Sequence, residues 1–250
     1  NDGRAVIIEK TPSDMGVYSA GGSRVICTNH YQSDRFRNDP VNVENIRVSD
    51  SGYRYRRVQQ LLDSLGTIDY LKAAAVLRDI RGVDGENVGY CNDLSINQML
   101  AMHSVIFKPA EKKIWVSTSP WQFGKFVCFD LDEVFGEEGV LAGDAGFSDD
   151  ELSIPADNFL ETEAFRNILK FKTMQQMLAA ASKSRREVQS DSLALFVSWN
   201  PSYYGTYVSV ASYLESLGKN AEVDEYYRRA LACPMKLSER QHLETRLRGR

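Results

Sequence analysis

The chain has no apolar run approaching the roughly 18 residues needed to cross a bilayer, so no membrane-spanning helix is expected. It also lacks a surplus of positive charge. Lysines and arginines number 30 against 34 aspartates and glutamates, a net charge of −4 that offers no general basic surface to a phosphate backbone. Nucleic acid is therefore not an expected partner. The four cysteines, Cys27, Cys91, Cys128 and Cys233, stand far apart with no CxxC pair, which excludes a zinc ribbon and a thioredoxin-type motif. Buried free thiols are the simplest expectation, with a disulfide left open. Three histidines, His30, His103 and His242, show no ligand spacing, so neither a metal nor another cofactor is expected. The opening residues Asn1-Asp2-Gly3-Arg4 are not a signal peptide, and both an exported and a cytoplasmic location stay compatible.

Against these absences, 43% hydrophobic and 10% aromatic residues over 250 positions suffice for a sizeable core. Alternating segments Ala5–Lys10, Gly16–Ser19 and Arg24–Thr28, separated by Pro12-Ser13-Asp14 and Gly21-Gly22, predict a three-strand meander. From Tyr53 the period becomes helical. Val58, Leu61, Leu62 and Leu65 predict one helix stopped by Gly66, and Tyr70, Leu71, Ala74 and Leu77 a second with Thr67 as its cap. Ser104–Phe107, Ile114–Ser117 and Phe126–Phe129 predict a second antiparallel meander. Strands, helices and strands joined by short connections argue for an α+β layered domain over residues 1–135.

Residues 136–158 contain Glu137, Glu138, Asp144, Asp149, Asp150 and Glu151. Their acids are not spaced as in a calcium loop, so an acidic linker is expected. Residues 159–250 read as an all-α extension with helices over 159–184, 193–199, 203–217, 221–233 and 238–247. Within it Tyr204, Tyr207, Ala211, Leu214, Gly218, Ala221, Tyr226, Ala230 and Pro234 resemble one tetratricopeptide unit. A single unit does not make the concave surface that stacked repeats provide, and a helical cap on the main domain is the alternative.

The densest polar cluster is Cys27-Thr28-Asn29-His30-Tyr31-Gln32, at a predicted strand end where a scaffold presents side chains to a cleft. Asn29 suits an oxyanion donor, because its amide N–H is neutral at every working pH. His30 suits a base or an orienting group. A Cys27–His30 dyad is awkward, since on a strand these two residues face opposite sides. Tyr31, Trp121 and Phe123 are candidates to line an acyl pocket, with core packing as the alternative.

The run Ala5 to Pro12, then Val25 to Tyr31 with Thr28-Asn29-His30, then His103 to Pro109 and Lys113 to Val116, resembles the linear amide C–N hydrolases of the N-terminal-nucleophile superfamily. The likeness is to the acyl-coenzyme A:6-aminopenicillanate acyltransferase-like branch, with choloylglycine hydrolases as more distant relatives, and spans roughly residues 5 to 131. It implies a four-layer αββα sandwich and a self-processed enzyme. In such an enzyme a freed N-terminal cysteine attacks an acyl carbonyl and its own α-amino group is the base. The family's oxyanion asparagine falls on Asn29.

Two features depart from that pattern. Asn1 has neither hydroxyl nor thiol, and no cysteine stands where the nucleophile belongs. Near the His103 strand, Asn97-Gln98-Met99-Leu100 offers no arginine for the family's basic substrate-side residue. The expectation is therefore half of an active site, with the nucleophile on an upstream segment of the same precursor. That segment, or self-association, should cover an apolar sheet face, because about six strands are few for two full sheets. The expected function is a subunit of an amide hydrolase or acyltransferase acting on a small acyl-amide or thioester. The alternative is a non-catalytic binding or scaffold protein built on a degenerate hydrolase domain.

Overall fold

The computed structural model describes residues 4–136 and 148–249. Its first strands, β1 (Ile7–Lys10) and β2 (Met15–Tyr18), pair as a hairpin in which Ile8 lies opposite Val17. The turn closes through Thr11 N–H donating to the Asp14 carbonyl at 2.9 Å. The expected third strand is not formed: residues 24–28 run without a ladder. Local polar side chains take the place of that ladder, as where Gln32 Nε2 donates to the Ile26 carbonyl at 2.8 Å.

Helix α1 (Pro40–Val48), which sequence reasoning did not anticipate, starts at Asp39, whose carboxylate accepts from the N–H groups of Val41 and Asn42. Pro40 occupies the first turn, where a missing N–H costs nothing. Helix α2 (Ser51–Leu65) ends at Gly66, whose φ of 67° fits the residue type. Helix α3 (Tyr70–Leu77) is capped by Asp69 rather than Thr67, because the Asp69 carboxylate accepts from Lys72 N–H at 2.8 Å.

The second meander forms as expected: β3 (Val105–Lys108), β4 (Lys113–Ser117) and β5 (Phe126–Asp130) pair antiparallel. After α4 (Leu131–Phe135), strand β6 (Ser148–Ile154) completes a sheet of order β3-β4-β5-β6. The second half of the expected acidic linker is therefore a strand, while residues 137–147 lie outside the described residues. Two of its three acids are paired across the sheet, with Lys125 Nζ 2.6 Å from Asp150 and Lys113 Nζ 3.9 Å from Asp149. Its apolar positions pay into the core through buried Ile154. Ala74 and Tyr70 of α3 pack on Ile106, Trp115, Phe126 and Cys128, with the Tyr70 and Trp115 rings stacked at 4.7 Å. The result is a mixed α+β fold with a four-stranded antiparallel sheet and helices.

Helices α5 (Glu163–Ser184), α6 (Ser190–Trp199), α7 (Tyr204–Ser216), α8 (Asn220–Leu231) and α9 (Leu237–Arg248) follow the expected periodicity within a few residues. Phe171 and Phe196 stack at 4.6 Å in their core, and Ala211 and Ala230 are fully buried in the α7–α8 pair. This part is bonded to the segment before the sheet. Asn200 accepts from Tyr90 N–H at 3.0 Å and donates to the Tyr90 carbonyl at 2.9 Å.

Candidate functional site

A cleft of about 890 Å³ lies where β1, the 27–31 segment and α1 meet. The polar cluster singled out in the sequence forms its wall, including Cys27, Asn29, His30 and Tyr31. What holds that irregular segment is a set of side chains standing in for a ladder. Glu9, 5% exposed on β1, accepts from Gln32 N–H at 2.5 Å, Ser33 N–H at 3.1 Å and the Ser33 hydroxyl at 2.5 Å. Three donors satisfy a carboxylate that burial would otherwise penalise. Gly16 on β2 permits this approach, since a Cβ there would collide with Ser33 and Phe36.

Helix α1 clamps the same segment from the other side. Asn42 accepts from Tyr31 N–H at 2.8 Å and donates to the carbonyls of Tyr31 at 3.0 Å and Arg37 at 3.2 Å. One turn later Asn45 donates to the Asn29 carbonyl at 2.7 Å. The Asn29 side chain is oriented by α2, where Arg54 Nη2 donates to Asn29 Oδ1 at 2.6 Å while the same guanidinium pairs with Asp50. A guanidinium only donates, so the oxygen of the amide must face it. That contact occupies Oδ1, and the Asn29 NH2 group has no protein acceptor among the described residues.

His30 is half-buried, and its Nδ1 lies 2.8 Å from Ser51 Oγ and 3.0 Å from Thr28 Oγ1. The Thr28 hydroxyl donates to the Ser51 carbonyl at 3.2 Å, and the Ser51 hydroxyl donates to Thr28 Oγ1 at 3.1 Å. Nδ1 is thereby engaged by this pair of hydroxyls. Burial pushes the imidazole pKa below its ordinary value, opposed by the charge of Glu9.

Cys27 is exposed on the cleft wall, not a core thiol as expected. The core expectation holds for Cys128 and Cys233, whose thiol pKa values burial pushes up, and all four cysteines are free. Cys27 Sγ donates to the Thr28 carbonyl at 3.6 Å, while the His30 Nδ1 is turned to Ser51. No Cys27–His30 dyad is assembled. Tyr31 lines the cleft, its hydroxyl donating to the Lys10 carbonyl at 3.1 Å and its ring 5.0 Å from that of Phe36.

Trp121 and Phe123 lie elsewhere. Trp121 packs edge-on against Phe165 beneath Lys172 Nζ, and Phe123 is buried beside Phe159, so neither contributes to this cleft. The packing alternative applies to both. The residues that sequence reasoning missed are Asn42, Asn45, Ser51 and Arg54. The readable signal for the first two was Asp39-Pro40 as a helix start, which places both asparagines one turn apart on one face. Among the described residues no group of three His, Cys, Asp or Glu side chains is placed to hold a metal ion. No family model matches the chain, and neither does any curated protein or solved structure.

Proposed function

We propose that the cleft is an acyl-transfer site for a linear amide or thioester, in which Asn29 Nδ2–H steadies the oxyanion. The observation that carries this reading is the 2.6 Å contact from Arg54, which commits Asn29 Oδ1 and reserves the NH2 as a fixed neutral donor. A donor aimed before reaction stabilises charge that develops only in the transition state. The proposed sequence starts with a thiolate attacking the acyl carbonyl carbon, whose π electrons pass to the oxygen facing Asn29. Collapse expels the thiolate, or the amine once the α-ammonium has returned to it the proton taken from the thiol, and water or a second amine, losing its proton to the α-amino group, then takes the acyl group and frees the thiol.

The thiol belongs, in this proposal, to an upstream segment of the same precursor, with its α-amino group as base. The likeness to N-terminal-nucleophile hydrolases of the acyl-coenzyme A:6-aminopenicillanate acyltransferase-like branch supports that choice. So does the exposed apolar face formed by Ile8, Met15 and Val17 on the β1–β2 hairpin, which such a segment would cover in an αββα arrangement. A second reading is a binding protein on a degenerate hydrolase scaffold, with the same cleft as its ligand site.

Intact mass spectrometry of the product of the complete gene separates the two readings. Two polypeptides, the second beginning with a new N-terminal cysteine, are expected for the enzyme. A single chain with no such cysteine supports the binding role. In the processed enzyme, assayed on a panel of acyl amides, Asn29→Ala is expected to lower kcat by about 10²–10³, or roughly 3–4 kcal/mol, with unchanged thermal stability. A loss below about tenfold removes Asn29 from the role.

A further inference from the structure

A second groove, of about 340 Å³, opens where the end of α1, the first turns of α2 and the start of α9 meet, and it shares no lining residue with the Asn29 cleft. Three cations, one from each of these elements, line it: Arg47, Arg56 and Lys236. No carboxylate does. Like charges gathered round so small a space repel one another, and an anion between them turns that repulsion into attraction.

The three cations are not equally engaged. Arg47 pairs with Glu44 at 2.6 Å, and Lys236 with Asp93 at 2.6 Å and Glu239 at 3.9 Å, so two are balanced by acids that do not line the groove. Arg56 has no carboxylate partner among the described residues, and its Cζ lies 5.7 Å from the centre of the Tyr53 ring. Tyr53 is itself anchored, its hydroxyl accepting from Val83 N–H at 3.0 Å and donating to Glu86 at 3.0 Å. The Arg56 guanidinium is thus held against a fixed ring with its N–H groups free of protein acceptors. Beside it Ser49 Oγ accepts from Ser51 N–H at 3.2 Å, and the Ser49 hydroxyl proton has no acceptor among the described residues. The rest of the lining is apolar: Ile46, Leu94, Met235 and Leu237, of which Leu94 is only 3% exposed.

We propose that this groove binds a small carboxylate with a short apolar tail, its two oxygens on the Arg56 guanidinium. A guanidinium fork matches a carboxylate in two parallel hydrogen bonds, and the one uncompensated cation calls for a single negative charge, not for a phosphate dianion. The four apolar side chains supply the place for the tail, which leaves water on entering. A few convergent polar groups over an apolar lining, at the small end of the roughly 300–1,000 Å³ of ligand sites, fit a molecule of this size. The proposal does not rest on acyl transfer in the Asn29 cleft.

Isothermal titration calorimetry of the product of the complete gene with sodium hexanoate, at an ionic strength of about 50 mM to limit screening, tests it. Saturable binding with a Kd on the order of 0.1–1 mM is expected for a ligand this small. Hexanamide lacks the charge and acetate lacks the tail, and each should bind at least about tenfold more weakly. Arg56→Gln changes an exposed side chain that makes no hydrogen bond, and is expected to weaken hexanoate at least about tenfold. Ile46→Glu, at a position 37% exposed, sets a competing carboxylate in the groove, should cost as much, and decides the matter if the first variant does not fold. Arg81→Gln removes an exposed arginine outside the groove and should leave the affinity unchanged. Absence of saturable binding up to about 10 mM hexanoate overturns the proposal. So does hexanamide binding as tightly as hexanoate, or an Arg81→Gln loss equal to that of Arg56→Gln. Hexanoate binding that neither groove variant weakens overturns it as well, because the ligand then sits elsewhere, as in the Asn29 cleft. No turnover enters these readouts, so a failure of the acyl-transfer reading leaves them intact.

Discussion

At the scale of single residues the cleft depends on polar groups that are held, not on groups that are free. His30 illustrates the physical consequence. Its imidazole is half-buried behind Tyr55, with ring centroids 5.5 Å apart, and its Nδ1 is committed to Ser51 and Thr28. Burial depresses its folded-state pKa below the ordinary value of 6.5. A base whose pKa is lower folded than unfolded binds protons more readily in the unfolded chain. Its contribution is therefore neutral above pH 6.5 and turns against the fold as pH falls through that value. Urea midpoints are expected to fall between about pH 7 and pH 5 more steeply in the wild type than in His30→Gln. His103 and His242 are present in both proteins, so the difference isolates His30. Equal slopes would show that the ring pays no burial penalty.

At the scale of elements, α1 decides whether the Asn29 segment has a shape at all. Asn42 is 5% exposed and makes three hydrogen bonds to backbone, two of them to Tyr31. Asn42→Ala leaves those groups unpaired in a buried place, and a loss of about 2–3 kcal/mol is expected from urea unfolding. Faster amide exchange over residues 28–33 in the native state should accompany it, and unchanged exchange there would mean that Glu9 alone holds the segment. Legibility in the sequence followed periodicity. The regular apolar spacing of α2, α3 and the five C-terminal helices, and the alternation of β3 to β5, were readable because each buries one face. Helix α1 was not, since Pro-Val-Asn-Val-Glu-Asn buries an asparagine instead of an apolar stripe. Strand β6 was hidden because Asp149 and Asp150 read as solvated charge until Lys113 and Lys125 are placed across from them. Residues 24–28 had strand-like composition, but composition does not supply a partner. The Thr28-Asn29-His30 triplet was legible as a site, whereas Arg54, which orients Asn29, lies 25 positions away and carries no local signal.

At the scale of the whole chain, the helical part and the sheet part share a boundary that bears on how the protein unfolds. Ile168 of α5 is fully buried, and it packs in one cluster with Met99 and Phe123 from the sheet side. Asn200, 1% exposed, bonds Tyr90 in both directions, and its own carbonyl accepts from the buried Thr206 hydroxyl at 2.7 Å. Around this bond, fully buried Asn92 donates to the Pro234 carbonyl at 3.2 Å, and Lys236 pairs with Asp93 at 2.6 Å. Lys172 donates to the Met99 carbonyl at 3.1 Å. These contacts bury backbone groups of both parts, so releasing one part exposes unpaired polar groups and apolar surface on the other. Residues 159–250 therefore act as a docked support for the segment leading into β3, and the two parts are expected to melt together. Circular dichroism, which follows the helices, and near-ultraviolet signals from Trp115 in the sheet core, read in a Trp121→Phe, Trp199→Phe background, should report one coincident urea transition. Asn200→Ala keeps both cores but leaves the Tyr90 N–H and C=O unpaired, and should lower stability by about 2–4 kcal/mol. The Asn92–Pro234, Lys236–Asp93 and Lys172–Met99 contacts remain in that variant, so its sheet and helix transitions are expected to stay coincident at a lower midpoint. Separate transitions already in the wild type would place the cooperative boundary at this seam and reduce the helical part to an independent unit.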